Sequence, residues 1–165
     1  AGLVVAKGTE ICEKLSQNHN ATGAVLSPVD SWLLIRGLKT LALRVERHEE
    51  NAKSIAKFLN EQPAVSNVFY PNKGGMLSFS LKEEQWVDPF LSSLNLIVFA
   101  ESLGGVESFI TYPTTQTHAD IPEQERIRRG ISNHLLRFSV GIEHVEDLKA
   151  DLQQALSKLN EEDEK

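Results

Sequence analysis

Two segments of the sequence carry residue types that could bind a carboxylate. The run AESLGGVES at residues 100–108 combines serine and glutamate with adjacent glycines, which let a backbone approach a ligand closely. Further along the chain, Arg137 lies within the apolar stretch of residues 135–140. A guanidinium offers a rigid fork of N–H donors that matches a carboxylate in a bidentate way. Together the two segments predict a site for one end of a small carboxylate-bearing molecule.

Each segment also has a plainer interpretation. Arg137 could form a structural ion pair, since buried charged residues are usually paired, and residues 101–105 could be an ordinary exit from a strand into a turn. A third polar stretch, residues 112–118, contains Thr117, whose hydroxyl could donate to a ligand, and His118, which is more typical of a loop than of a catalyst. The sequence contains no Cys/His metal spacing, no glycine-rich phosphate loop and no Gly-x-Ser-x-Gly elbow.

The surrounding secondary structure must position these residues. In residues 135–140 the period of two puts Arg137 on the face opposite the largest apolar side chains. Ser27 can cap a helix that begins at Pro28 and continues to about Asn60. The remaining pattern predicts strands at residues 3–6, 65–70, 76–81, 96–100 and 135–140, and further helices at residues 9–16, 82–94 and 145–159. This mixture of strands and helices predicts a fold of the α/β class (α+β), in which helices cover a small, mostly antiparallel four-stranded sheet.

Composition narrows the class of protein. The 165 residues include 17 Lys and Arg against 23 Asp and Glu, a net charge of -6, and the basic residues are scattered, which argues against nucleic acid as a partner. No apolar run approaches the ~18 residues of a membrane span, and no signal peptide is visible. The single cysteine, Cys12, favours a reducing and therefore cytoplasmic location. Because the chain begins directly in an apolar stretch without a methionine, we expect it to be a piece of a longer protein.

The order of the motifs resembles a known enzyme family. AESLGGVES is followed by a Pro-x-x-x-Thr-His motif at residues 113–118 and by LLRFSVGIE at residues 135–143, and RGLKTL at residues 36–41 precedes them. In this order they are similar to the C-terminal part of the Cys/Met metabolism enzymes that use pyridoxal 5′-phosphate (PLP), the trans-sulfuration enzymes. The similarity extends over nearly the whole chain.

The resemblance implies roles for four residues. Arg137 would bind the α-carboxylate of an amino-acid substrate, with Ser102 and Thr117 close to the same group, and Glu101 would take part in substrate discrimination among the γ-acting enzymes. PLP would be the cofactor of the full-length enzyme. The family's Schiff-base lysine motif is absent from this sequence, so we expect neither a catalytic nor a cofactor-binding residue in it, and Lys39 matches a structural helix of the family instead.

The resemblance also implies a domain organisation and a reaction. Residues 1–40 would be the end of the large PLP-binding domain of a fold-type I transferase, joined by the long helix to a small C-terminal domain at residues 41–165. The expected reaction is γ-replacement on O-acetyl- or O-succinylhomoserine with cysteine or sulfide, as in the cystathionine γ-synthases of methionine biosynthesis. Cystathionine γ-lyases and O-acetylhomoserine sulfhydrylases are the alternatives within the family, and a non-catalytic amino-acid-binding or assembly module is the alternative from another class. The family's assembly implies a homo-tetramer, built as a dimer of dimers, that includes the missing N-terminal domain.

Overall fold

The computed structural model describes residues 2–162, which divide into two compact units between Ala42 and Leu43. The first unit contains helices α1 (Thr9–Thr22) and α2 (Pro28–Leu38). Helix α1 runs one and a half turns beyond the predicted end and stops at Gly23, which adopts a left-handed conformation with φ 63°. The predicted cap of α2 is confirmed, because the Ser27 side chain accepts a hydrogen bond from the backbone N–H of Asp30.

Two predictions for the N-terminal part of the chain are wrong. Residues 3–6 form no strand, because a strand needs a neighbour and no described strand pairs with them. The helix predicted from Ser27 to Asn60 is interrupted at residues 39–40, so α3 (Leu41–Asn60) is a separate element. Gly37, in the last turn of α2, weakens the helix before the break.

The second unit contains a five-stranded sheet of order β1-β2-β5-β4-β3. Its strands are β1 (Val65–Phe69), β2 (Met76–Leu81), β3 (Val98–Phe99), β4 (Phe109–Thr111) and β5 (Leu135–Ser139). Three neighbouring pairs are antiparallel and the pair β3–β4 is parallel. The predicted number of four strands is wrong, because the sheet has five and is mixed, although most of its pairs are antiparallel as expected. Strand β4 was missed because it has only three residues and shows no readable alternation.

Helices cover one face of this sheet. Besides α3 they are α4 (Val87–Ser93) and α6 (Val145–Glu162), with one 3₁₀ turn at Glu84–Trp86 before α4. A short helix, α5 (Glu123–Arg128), lies between β4 and β5 in the chain. Pro89 is tolerated because it lies in the first turn of α4. One buried apolar cluster joins the sheet to helices α3, α4 and α6. It includes Ile55, Leu59, Leu77, Phe79, Phe90, Ile110, Leu136, Phe138, Leu148 and Leu152.

Alternation along the strands gives the two faces of the sheet different chemistry. On the core face of β5, Leu136 and Phe138 are fully buried, whereas Arg137 between them points to the opposite face. The predicted placement of Arg137 away from the core is confirmed. The polar side chains of the sheet therefore collect on the face opposite the helices.

Candidate functional site

Arg137 occupies the centre of the sheet. Its strand pairs on both sides, so that Arg137 lies opposite Ser78 of β2 and Thr111 of β4. The guanidinium Nη2 donates a hydrogen bond to Thr111 Oγ1 over 3.3 Å. The Nε–H group is buried and has no hydrogen-bond partner in the described part of the chain. A strand paired on both sides fixes the backbone, so the position of this cation is set before any ligand arrives.

No carboxylate of residues 2–162 forms an ion pair with Arg137. The structural ion pair, the plainer interpretation of Arg137, is thus not formed among residues 2–162. A half-buried guanidinium with an unsatisfied N–H is suited to bind the carboxylate of a ligand, to which it can donate hydrogen bonds. An open groove of about 220 Å³ adjoins it, lined by Arg137 together with Phe69, Pro71, Met76, Leu77 and Ser78.

Thr111 connects Arg137 to the first predicted motif. Its hydroxyl accepts from Arg137 and donates to the backbone carbonyl of Ala100 over 3.0 Å. Ala100 directly precedes Glu101 and Ser102, so Arg137 and the start of the motif share one hydrogen-bonded residue. Thr111 is 1% exposed. The sequence analysis missed it because the strand that carries it was not predicted.

The residues 101–107, hereafter the site loop, follow β3. Ser102 in this loop is half-buried, and its hydroxyl oxygen would lie 3.2 Å from a Cβ added to Gly105. Glu101 is exposed. Neither residue is hydrogen-bonded to Arg137 in the described chain. The hydrogen bonds that lead from Arg137 through Thr111 end at Ala100, the residue before Glu101.

Thr117 lies in the turn that follows β4. The turn is held by Gln116, whose side-chain oxygen accepts from the backbone N–H of Tyr112 over 2.9 Å. Thr117 is exposed, and its Oγ1 lies 2.8 Å from Nδ1 of His118. The Tyr112 hydroxyl donates to the carbonyl of Asn133 over 2.6 Å, and burial raises the pKa of Tyr112. The structure places Thr117 a few residues beyond Thr111, without a hydrogen bond to Arg137.

Other kinds of site are not found in the described residues. No group of three or more His, Cys, Asp or Glu side chains is placed to hold a metal ion in residues 2–162. Within the same residues, no helix combines the length and the apolar character needed to cross a bilayer. The residues that the structure groups around Arg137 come from β5, β4 and the start of the site loop.

An arginine without an acid partner, on the polar face of a helix-covered sheet, has the chemistry that binding of a small carboxylate requires. A family model described as Cys/Met metabolism PLP-dependent enzyme matches residues 1–157. The chain belongs to this family.

Two relatives with cystathionine γ-synthase in their names are more than 60% identical to this chain. The chain is 67% identical over 158 residues to a cystathionine γ-synthase of Haemophilus influenzae, covering 96% of this chain and 43% of that protein. It is 63% identical over 161 residues to a cystathionine γ-synthase/O-acetylhomoserine (thiol)-lyase of Bacillus subtilis, covering 98% and 43%. The chain thus spans less than half the length of these relatives.

Solved structures share the fold. A cystathionine γ-lyase from Lactobacillus plantarum, complexed with L-serine, superposes with a TM-score of 0.83 at 38% identity, over 93% of this chain and 44% of that one. A putative O-acetylhomoserine (thiol)-lyase from Campylobacter jejuni, containing N′-pyridoxyl-lysine-5′-monophosphate, superposes with a TM-score of 0.78 at 36% identity, over 82% and 37%.

The lysines of residues 2–162 do not fit the role of carrying the family's cofactor. A lysine that forms an imine needs a pocket that favours its neutral form. Every lysine of the described residues is exposed except Lys149, which is partly buried and pairs with Glu146 over 2.8 Å. Lys39 is exposed at the end of α2.

Proposed function

We propose that this chain is the C-terminal part of a PLP-dependent cystathionine γ-synthase. In the proposed reaction, the C–O bond at Cγ of an O-acylhomoserine breaks, the acyl group leaves as a carboxylate, and a new C–S bond forms with the thiol of cysteine or with sulfide. The observation that carries the proposal is the guanidinium of Arg137, fixed in a central strand, without an acid partner in the described chain and beside an open groove. The names of the two relatives above 60% identity favour the synthase reaction.

In this proposal Arg137 acts by position. Two of its N–H groups bind the substrate α-carboxylate, which fixes the orientation of the bonds at the α-carbon. Ser102 and Thr117 lie close to the same carboxylate, and Glu101 discriminates between substrates. The cofactor, when bound, would supply an electron sink for the bonds at the substrate α-carbon. None of the four residues is proposed to transfer a proton.

The proposal includes the organisation of the whole protein. Residues 1–40 belong to the end of the PLP-binding domain and residues 41–165 to the small C-terminal domain, which agrees with the division of the chain between Ala42 and Leu43. The active protein is a cytoplasmic homo-tetramer that includes an N-terminal domain carrying the cofactor lysine.

The test is an assay of a full-length protein that contains this chain, purified with PLP. We expect it to convert O-acetyl- or O-succinylhomoserine and cysteine into cystathionine, measured by mass spectrometry. Consumption of cystathionine without synthesis would instead support the γ-lyase reaction, and homocysteine formed only from sulfide would support the sulfhydrylase.

A binding module is distinguished by calorimetry. A non-catalytic amino-acid-binding module would bind a homoserine ester as the isolated chain with no PLP present. The proposed enzyme fragment would give no such heat, because the cofactor that completes the substrate site lies outside it.

A further inference from the structure

The site loop lies against the segment that follows Arg137 in the chain. The backbone N–H of Gly104 donates to Ser139 Oγ over 3.4 Å, and the N–H of Ile142 donates to the Val106 carbonyl over 2.9 Å. A Cβ added to Gly141 would collide with the Val106 carbonyl and would lie 2.7 Å from the carbonyl carbon of Glu107. The two segments can meet this closely only because residue 141 has no side chain.

One carboxylate closes this contact. Glu143 Oε1 accepts from the backbone N–H of Ser108 over 2.6 Å, and Oε2 accepts from the Ser108 hydroxyl over 2.9 Å. The same hydroxyl accepts from the Gly141 N–H over 2.8 Å. Ser108 is 1% exposed. No Lys, Arg or His of the described chain forms an ion pair with Glu143, so these hydrogen bonds satisfy its charge.

Helix α3 supports the contact from the other side. The Asn51 side-chain amide donates to the carbonyls of Gly141 over 3.0 Å and Glu143 over 2.9 Å, and Asn51 is 2% exposed. His48 Nδ1 lies 2.7 Å from the carbonyl of Val140. The segment that bears Glu143 is therefore fixed to α3 by hydrogen bonds that do not involve Ser108.

From these contacts we infer that Glu143 is a positioning residue for the substrate site. It reaches neither Arg137 nor the groove, but it joins the end of the strand that carries Arg137 to the end of the loop that carries Ser102. We call the three hydrogen bonds among Glu143, Ser108 and Gly141 the Glu143–Ser108 clamp. Its loss frees the site loop to move relative to the guanidinium of Arg137. This role rests on the proposed function, because it assumes that the site loop contacts the substrate carboxylate.

The test compares Glu143→Gln with Glu146→Gln in a full-length holoprotein that contains this chain. The glutamine keeps one acceptor for the Ser108 N–H but offers an amide donor where the Ser108 hydroxyl needs an acceptor. Glu146 is a matched control, since it lies three residues away, is 64% exposed and pairs only at the surface with Lys149. Ser108→Ala is the second variant, because it removes the hydroxyl and keeps the backbone hydrogen bond.

Two measurements test the clamp and its effect on the substrate site separately: amide hydrogen exchange in the site loop and steady-state kinetics. We expect Glu143→Gln to speed amide hydrogen exchange in residues 102–107 by about tenfold or more, and to raise KM for O-acetylhomoserine by about tenfold with a smaller change in kcat. Glu146→Gln should change neither, and Ser108→Ala should lie between the two.

Unchanged exchange in both Glu143→Gln and Ser108→Ala would overturn the clamp. Faster exchange with an unchanged KM would overturn the positioning role and leave the clamp purely structural. If the unsubstituted protein performs no γ-replacement, the proposed function fails, while the exchange measurement still decides whether the clamp orders the loop.

Discussion

Arg137 retains a buried N–H group without an acceptor, which is a costly state for a guanidinium. An unsatisfied buried donor costs about 1 to 3 kcal/mol, and Nε of Arg137 has no partner in the described chain while Nη2 is bound by Thr111. A bound carboxylate would supply the missing acceptor and the missing counter-charge together. Binding of a carboxylate would therefore remove the free-energy cost of the unsatisfied N–H, and this gain would add to the affinity for the ligand.

Substitution of Arg137 tests this argument in a full-length protein that contains this chain. We expect Arg137→Ala to lower kcat/KM by at least ~100-fold, about 2.7 kcal/mol, because the bidentate charge-assisted pair is lost. For Arg137→Lys, kcat/KM should lie between those of the unsubstituted protein and of Arg137→Ala, since an ammonium keeps the charge but not the planar pair of N–H donors. Steady-state kinetics with the O-acylhomoserine measure both effects.

The control is Arg128→Ala, which removes an arginine that is 78% exposed and pairs with Glu125 on the surface. It should leave the kinetics unchanged, because an exposed i,i+3 pair contributes little. An Arg137→Ala protein with near-normal kcat/KM would refute the carboxylate-binding role.

At this scale the sequence predicted single residues better than their partners. The placement of Arg137 followed from the alternation of β5 alone, which is a local pattern. Thr111 and Glu143 could not be found in this way, because each acts on a residue 26 or 35 positions away in the chain. Their roles depend on a strand pairing and a close approach that local patterns do not encode.

Among the elements, α6 is joined to the entrance of β3 by a single buried carboxylate. Asp151 accepts backbone N–H groups of Asn95, Leu96 and Ile97, each over 2.9 Å. Burial raises the pKa of Asp151, but the hydrogen bonds from Ile97, Asn95 and Leu96 and from the Gln154 side chain outweigh it, so the net pKa lies below its usual value. The site loop follows β3 directly, so this contact fixes the start of the strand that leads into it.

We therefore expect Asp151→Asn to destabilise the chain by roughly 1.5 to 3 kcal/mol at neutral pH, the range for hydrogen bonds to a charged group. Because the pKa is lower in the folded state, the ionised carboxylate stabilises the fold above the unfolded pKa of about 3.9, and this stabilisation is lost as pH falls through the folded value. The difference in unfolding free energy between the two proteins should thus be constant from pH 7 to 5 and shrink below about pH 4.

Denaturant unfolding across this pH range provides the measurement. Asp120→Asn is the control, since Asp120 is exposed in a turn, and it should stay within about 0.5 kcal/mol of the unsubstituted chain. A destabilisation by Asp151→Asn that persists unchanged below pH 4 would show that packing, not the ionised carboxylate, is responsible.

Segments with a strong local signal were predicted well whether they are helices or strands: β1, β2 and β5 lie within one residue of their predicted bounds, whereas the end of α1 and the break before α3 were missed. The start of α2 at Ser27 and Pro28 is encoded by capping chemistry within four residues. Strand β4 and the true extent of β3, by contrast, depend on their pairing with each other, which no local signal announces. The same reasoning explains the apolar residues 3–6, which have strand composition but no described partner.

At the scale of the whole molecule, the two units differ in how they are stabilised. The second has a continuous buried core, whereas neither α1 nor α2 contains a buried residue. Large apolar side chains are exposed along α2, including Trp32 at 58%, Leu33 at 52% and Ile35 at 56%. Apolar surface of this kind is typical of an interaction site, which agrees with the proposal that residues 1–40 belong to a larger cofactor domain.

We expect that the isolated chain neither binds PLP covalently nor catalyses γ-replacement. Its described lysines are exposed or, for Lys149, paired with Glu146, and none lies in a pocket that would favour a neutral amine. Addition of PLP should give only the slow, unselective reaction of surface amines, and Lys39→Ala should not alter it. Borohydride reduction followed by peptide mass spectrometry would reveal any selective attachment.

A full-length protein that contains this chain is the positive control, and it should show one stoichiometric attachment at a lysine outside these 165 residues. Stoichiometric labelling of Lys39 in the isolated chain would contradict the expectation, because it would require a cofactor pocket that the described fold lacks. The position of the label therefore tests the proposal that the cofactor binds to the part of the protein beyond this chain. The proposal that Arg137 binds the substrate carboxylate is tested separately, by the kinetics of the Arg137 variants.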